Sequence, residues 1–359
     1  MMAQPSGNKL VAAVVVGVVA IQALMLFAFA WPASNSGPRE VPIAVAGPPE
    51  AVGPIEQELS AAGPDADTPA FDVTALADES AAIAAIQDRD VYGAIVVSAE
   101  GPELLVATGA SPAVAQMLRS AAGELAPPGG SLTVTDVVPG TADDPSGSGL
   151  AAGILPLVMT SAAAGLAAVV LVRRTGQRLA LVGGLAVVAG IAAAALIQPG
   201  LGITDGSYWP LAGMLALIVG AITASVAGLG AVLGRAGAGL GMLLMIFLGN
   251  PLSAAVSAPE MLPQPWGAVG QLMPPGAGAT GVRSVSFFDS AAIGGPLLVL
   301  GVWLVAGLAL ILLGGLVARR SGADDETETS NGVPVAGASR PDASVLGRGE
   351  TADRSSPSP

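Results

Sequence analysis

The stretch MIFLGNPLSAAVSAPEMLPQPW, residues 245–266, begins as an apolar helix and then breaks itself. Asn250-Pro251 removes a backbone donor, small residues come next, and Pro259, Pro263 and Pro265 precede Trp266. Broken backbone at membrane depth is tolerated only where protein or a water-filled cavity satisfies it. The segment PLSAAVSAPEML is too apolar for an ordinary solvated loop. These features predict a broken segment set against protein or a water-filled cavity, with Asn250 as local partner for the freed backbone groups. The alternative is an outer loop carrying interfacial anchors. Pro274 and Pro275 are expected to forbid a long helix, and Trp266 with Phe287-Phe288 to sit in an interfacial aromatic belt.

The chain around this stretch is of membrane type. Its 359 residues are 52% hydrophobic and only 11% charged, with a mean hydropathy of +0.68. It has no cysteine and no histidine, and Lys9 is its sole lysine. Disulfides, thiolate nucleophiles, Ser-His-Asp and Ser-Lys constellations and histidine metal sites are therefore excluded. No catalytic residue, cofactor or metal site is expected, and no enzyme activity. Asp143-Asp144 lie in a Gly/Ser-rich linker and read as solvated.

About 20 consecutive apolar residues span the hydrocarbon. Six such spans are predicted: 10–30, 150–172, 179–197, 209–233, 238–250 and 291–317. The first could instead be a signal peptide, because Ala28-Phe29-Ala30 resembles a cleavage site. Its apolar core is longer than the usual h-region, which favours an uncleaved helix. Lys9, Arg173, Arg174, Arg178, Arg235, Arg319 and Arg320 all fall on one side if the six spans alternate, so the positive-inside pattern places both termini in the cytoplasm. Opposite them, the loop 198–208 has no basic residue and the loop 257–290 has Arg283 alone.

These spans set the domain organisation. Residues 1–9 are cytoplasmic, 10–30 form the first transmembrane helix, 31–149 an extracytoplasmic domain with its linker, 150–318 a bundle of five helices, and 319–359 a disordered cytoplasmic tail. The insertion 31–149 holds 17 Asp and Glu against three Arg. Its periodicity alternates between strands (VPIAV, FDVTAL, VYGAIVVS, ELLVATG, LTVTDVV) and helices (51–63, one capped by Asp78, and 111–125), a small α/β domain. Ala81, Ile83, Ala84 and Ile86 are the expected core face of the helix after Asp78. The fold class is thus a polytopic α-helical membrane protein with an extracytoplasmic α/β domain between helices 1 and 2.

Three passages carry a family likeness: VPIAVAGPP after the first span, DESAAIAAIQDRDVYGAIVV in the insertion, and FLGNPLSAAVSAPEMLPQPWGAVGQLMPPGAGATGVRSVSFF before the last span. With one helix, a large insertion and five further helices, the chain resembles the type-2 ABC exporter permease superfamily, in particular its YhgE/Pip (phage infection protein) branch, over about residues 10–318. The resemblance implies a permease subunit in the bacterial plasma membrane, with a re-entrant segment near 251–275 that turns back near the outer leaflet as short helices. It would move a hydrophobic or envelope-related molecule outward with a separate ATPase, as a homodimer or with a related permease as heterodimer. The lipid bilayer is then its surrounding partner, and no nucleic acid is involved.

The sequence departs from better-studied exporters in lacking a basic amphipathic helix before the first span, and it has no Walker motif of its own. Arg173, Arg174 and Arg178 are the candidate cytoplasmic coupling contact. Asn250, Pro251, Glu260 and Arg283 are the candidate exit segment, in which Glu260 and Arg283 are expected to attract each other as a latch. The alternative function is a non-transporting envelope protein whose ectodomain binds or organises surface partners. Absence of ionisable residues within the spans argues against an ion- or proton-coupled carrier. The glycine pairs Gly230/Gly234 and Gly237/Gly241 are of the kind that lets helices approach, although chance pairs are common in so glycine-rich a chain.

Overall fold

The computed structural model describes residues 7–61, 68–125 and 132–331. Helix α1, Gly7–Ser34, leads into a five-stranded sheet whose strands and helices alternate: β1 Val41–Ala46, α2 Pro49–Ala61, β2 Phe71–Leu76, α3 Glu79–Gln87, β3 Gly93–Ser98, β4 Gly101–Val106, α4 Pro112–Leu125 and β5 Thr133–Asp136. Then come α5 Ser148–Leu171, α6 Thr175–Ala195 and α7 Tyr208–Leu243. The chain closes with α8 Trp266–Gln271, α9 Pro274–Phe287 and α10 Gly294–Asn331. Contacts divide it into two units at Leu316 and Val317.

The strand order is β2-β1-β3-β4-β5, parallel throughout except for the β3–β4 hairpin. Moving from β1 to β2 and then back past β1 to β3 makes right-handed crossovers place α2 and α3 on opposite faces. Period-two alternation supplies both cores. Val41, Ile43, Leu104 and Val106 point to the α4 side, where Val114, Ala115 and Leu118 cover them. Ala44, Ala46, Ala94, Val96 and Leu105 point to the α3 side. With both faces covered, the strands read as near-continuous apolar runs.

Helix α3 starts where its sequence demands: Asp78 accepts from Ala81 N at 2.9 Å. Of the expected core face Ile86 is buried and Ile83 packs against the same core, but the second fully buried residue is Ala82, and Ala84 is exposed. Nine residues of helix are too few to cover this face. Phe288, from the turn after α9, is 6% exposed and completes it, with Phe287 and Ala291 beside it. Ala258 and Met261 do the same on the α4 side. The expected aromatic belt at Phe287-Phe288 is therefore corrected: the rings are sheet-domain core.

Among the described residues, five helices are long and apolar enough to cross a membrane: Asn8–Ser34, Ser148–Leu171, Thr175–Gly200, Tyr208–Gly249 and Gly294–Arg320. The predicted fourth and fifth spans share one stretch of 42 residues. That stretch is interrupted at Gly234, whose φ of 70° and ψ of −158° are non-helical. Beyond the break the chain folds back on itself. A Cβ on Gly237 would fall 2.3 Å from the Leu229 carbonyl oxygen, and one on Gly230 would fall 2.9 Å from Ala238 Cβ. Helix α7 is the axis of the bundle, and glycines bring its neighbours to backbone contact. Gly165 of α5, Gly190 of α6 and Gly307 of α10 would each place a Cβ within 2.9 Å of α7 backbone oxygen or carbon.

Two further expectations change. The linker at 140–149 is not solvated throughout: Asp144 is buried and accepts from Ser148 N (3.0 Å) and Gly149 N (2.7 Å), anchoring the start of α5. Residues 319–331 of the expected tail are helical; 332–359, and the last two residues of the helix expected over 51–63, lie outside the described residues.

Candidate functional site

The break at 245–266 is built as short pieces. Helix α7 ends in a π-helical turn, Leu244–Gly249, and single 3-10 turns at Pro251–Ser253 and Pro259–Met261 lead into α8 and α9. Pro274 and Pro275 do not forbid a helix; they occupy its first turn, where a missing N–H costs nothing, and α9 runs on for 14 residues. Asn250 acts through its backbone: its carbonyl accepts from Ser253 N (3.2 Å) and Ser253 Oγ (2.6 Å). Helix α9 is buried along nearly its whole length and packs on α7, with Gly278 against Ile218 and Gly281 against Met214.

The sheet domain straps this segment down. After α1, Gly37 N donates to Met261 O (2.9 Å), Arg39 N to Glu260 O (3.1 Å) and Ser36 Oγ to Met261 O (3.2 Å). Tyr92, immediately before β3, donates its hydroxyl to Glu260 Oε2 at 2.9 Å. Arg89 donates to Thr280 O (3.0 Å) and to Ser284 Oγ, and its guanidinium lies 5.1 Å from the centre of the Phe288 ring. Burial, with Glu260 beside it, holds the Tyr92 hydroxyl protonated far above the usual phenol range. Burial pulls the Arg89 guanidinium below its ordinary value, partly opposed by Tyr92 and Glu260.

Glu260 and Arg283 do not form the expected latch. Among the described residues the one ion pair joins Arg119 to Asp136 at 2.7 Å. Arg283 is 6% exposed and donates to Ala255 O, bracing the loop after Pro251 from within α9. Glu260 is committed to Tyr92. The two opposite charges stay apart because each finds a partner on the element packed against it.

Six non-glycine residues have positive φ among those described: Glu40, Arg89, Ala254, Asp289, Ser290 and Ala292. All lie in the segments that meet at this junction. Such conformations cost on the order of 1–3 kcal/mol each and persist only where the surroundings over-determine them. Arg89 occupies the position after α3 where glycine is the ordinary choice, its N–H bonded to Ile86 O at 3.1 Å. A cavity of about 400 Å³ remains in the junction, lined by Arg89, Tyr92, Glu260, Gln264, Gln271 and Thr280 with Pro259, Ala268 and Ala292. Sequence pattern does not single out Arg89 or Tyr92; the one available signal is an arginine in IQDRDVYG where a helix stop calls for glycine.

The basic turn between α5 and α6 divides into two kinds of residue. Arg178 caps α5, donating to Val172 O (2.8 Å) and Val169 O (3.3 Å). Arg173 and Arg174 are exposed. Comparison of the chain with protein-family models, with curated proteins and with solved structures finds no match.

Proposed function

We propose that the chain is the membrane permease subunit of an ABC-type exporter, moving a hydrophobic or envelope-related molecule outward under force supplied by a separate ATPase. The observation that carries this reading is the junction. The broken connection between α7 and α10 folds back along the central helix and is held by the sheet domain through Tyr92, Arg89 and the strap after α1. Movement of the bundle is thereby tied to movement of the domain. In this reading the break at Gly234 is a cytoplasmic turn between two crossings, giving six in all, with both termini cytoplasmic and the sheet domain outside. The segment 251–275 is then re-entrant at the exit.

Charge placement supports the same reading. In the five apolar helices, Asp, Glu, Lys and Arg are confined to Lys9, Arg178, Arg235, Arg319 and Arg320, at helix ends or at the Gly234 break. None of the five apolar helices carries an ionisable group in its interior to couple transport to protons or ions, and the buried Arg283 of α9 is committed to Ala255 O. The exposed Arg173 and Arg174 are then the contact offered to the ATPase, and Arg178 the residue that shapes their turn.

A second reading rests on a different feature. The carboxyl ends of β1, β2 and β3 open on a groove of about 830 Å³, lined by Pro48, Val52, Leu76 and Val97 with Glu56 and Asp78. Open α/β sheets bind ligands at such ends. It fits a non-transporting envelope protein whose domain organises surface partners.

Affinity purification of the tagged full chain separates the two. An ATPase should co-elute and be lost when Arg173 and Arg174 are both reversed to glutamate. Recovery of surface partners with no ATPase would replace the permease reading by the second.

A further inference from the structure

The junction cavity carries two opposite charges that do not meet. Glu260 Oε2 accepts from Tyr92, and Arg89 is held through one terminal nitrogen by Thr280 and Ser284. No ion pair joins them, although both line the same 400 Å³ space. Nε and the second terminal nitrogen of Arg89 have no acceptor among the described residues, and Glu260 Oε1 and the Gln264 amide have no partner there. Arg283 lies outside the lining, turned to Ala255.

A fixed cation and a fixed anion held apart in a recess of reduced dielectric are complementary to a molecule carrying the two charges in reverse order. The guanidinium fork matches a phosphate bidentately, whereas a carboxylate oxygen and an amide carbonyl accept from two of the three N–H groups of a primary ammonium. The volume suits a small headgroup. Helix α8, which lines the cavity through Ala268 and Gln271, turns Trp266 outward, and Leu272 just after it does the same; they are 37% and 65% exposed. An apolar surface thus adjoins the charged recess.

We infer that the cavity binds a phosphoethanolamine group, its phosphate on Arg89 and its ammonium on Glu260, carried on an amphiphile whose chains lie along Trp266 and Leu272. This inference does not depend on whether the chain transports anything.

The test is lipid binding to the purified full chain in detergent, read by native mass spectrometry with phosphatidylethanolamine, phosphatidylcholine and phosphatidylglycerol, and with soluble glycerophosphoethanolamine. Phosphatidylethanolamine should bind at least about tenfold more tightly than either other lipid. Glu260→Gln should remove that preference while keeping the Tyr92 contact, and Arg89→Lys, which keeps the charge but loses the fork, should weaken all three lipids by at least about tenfold. Should either variant fail to fold, Ala268→Trp, which fills the recess without touching a charge, decides the matter and should abolish the preference. Glycerophosphoethanolamine binding that matches the lipid's and shares its dependence on these variants supports the site and assigns a soluble ligand. Equal affinity for the three lipids, preference for phosphatidylglycerol, a preference unchanged by Glu260→Gln, or affinities unchanged by Arg89→Lys would overturn it.

Discussion

Replacing Arg89 tests whether the junction stores backbone strain against side-chain bonds. The arginine donates two hydrogen bonds to α9, at Thr280 O and Ser284 Oγ, and lies against Phe288. Hydrogen bonds from a charged group contribute about 1.5–3 kcal/mol each, and the ring contact about 0.5–1 kcal/mol. Because burial of the guanidinium offsets part of this, a loss of about 3 kcal/mol of docking free energy is expected for Arg89→Ala. Glycine loses the same contacts but adopts the φ of 67° without strain, so Arg89→Gly should be milder by about 1 kcal/mol. Amide hydrogen exchange of the full chain in detergent reads this locally. The turn after α9, where Ser290 N bonds to Ser284 O and Ala291 N to Phe288 O, should lose about 100-fold protection in the alanine variant and about fivefold less than that in the glycine variant. Equal protection in the two variants, or a worse result for glycine, would refute the strain argument.

Three other outcomes rest on contacts of the same kind. Tyr92→Phe removes the hydroxyl that holds Glu260 and should loosen the Pro259–Met261 turn by about 2 kcal/mol, seen as faster exchange at Met261 N and Leu262 N. Gly307→Val drives a Cβ to 2.5 Å from the Ala224 carbonyl carbon and should lower the melting temperature of the detergent-solubilised chain, with a cost of at least about 2 kcal/mol. The isolated fragment 37–140 should lack a cooperative melt by circular dichroism, because Phe288, Ala258 and Met261 that complete its two cores are missing.

The fold is legible in the sequence wherever one physical rule acts alone. Period-two alternation locates the strands, and Asp78 marks the start of α3 because an unpaired helix N–H needs a short acceptor. Length and apolarity locate the helices around α5, α6 and α10. The illegible parts depend on which element lies opposite. Phe287 and Phe288 look the same in sequence whether they face lipid headgroups or a sheet with too short a helix over it. Pro274-Pro275 breaks or begins a helix according to the residues after it, and GAGATGVRSVSF propagates one because α7 offers Ile218 and Met214 to pack against. At the site, Glu260 and Arg283 stand out by charge alone, but their partners, Tyr92 and Ala255, are 168 and 28 residues distant. Arg89 stays hidden because its reason for replacing glycine lies on α9.

Sidedness is the most direct test of the account, since exit segment, strap and basic turn have their proposed roles only if membrane separates them. The chain contains no native cysteine, so single cysteines at Gly53, Gln264 and Gly176, all at exposed positions, report without background. An impermeant thiol reagent on intact cells should label the first two and reach Gly176 only after lysis. Labelling of Gly176 in intact cells, or protection of Gly53 and Gln264 until lysis, would contradict it.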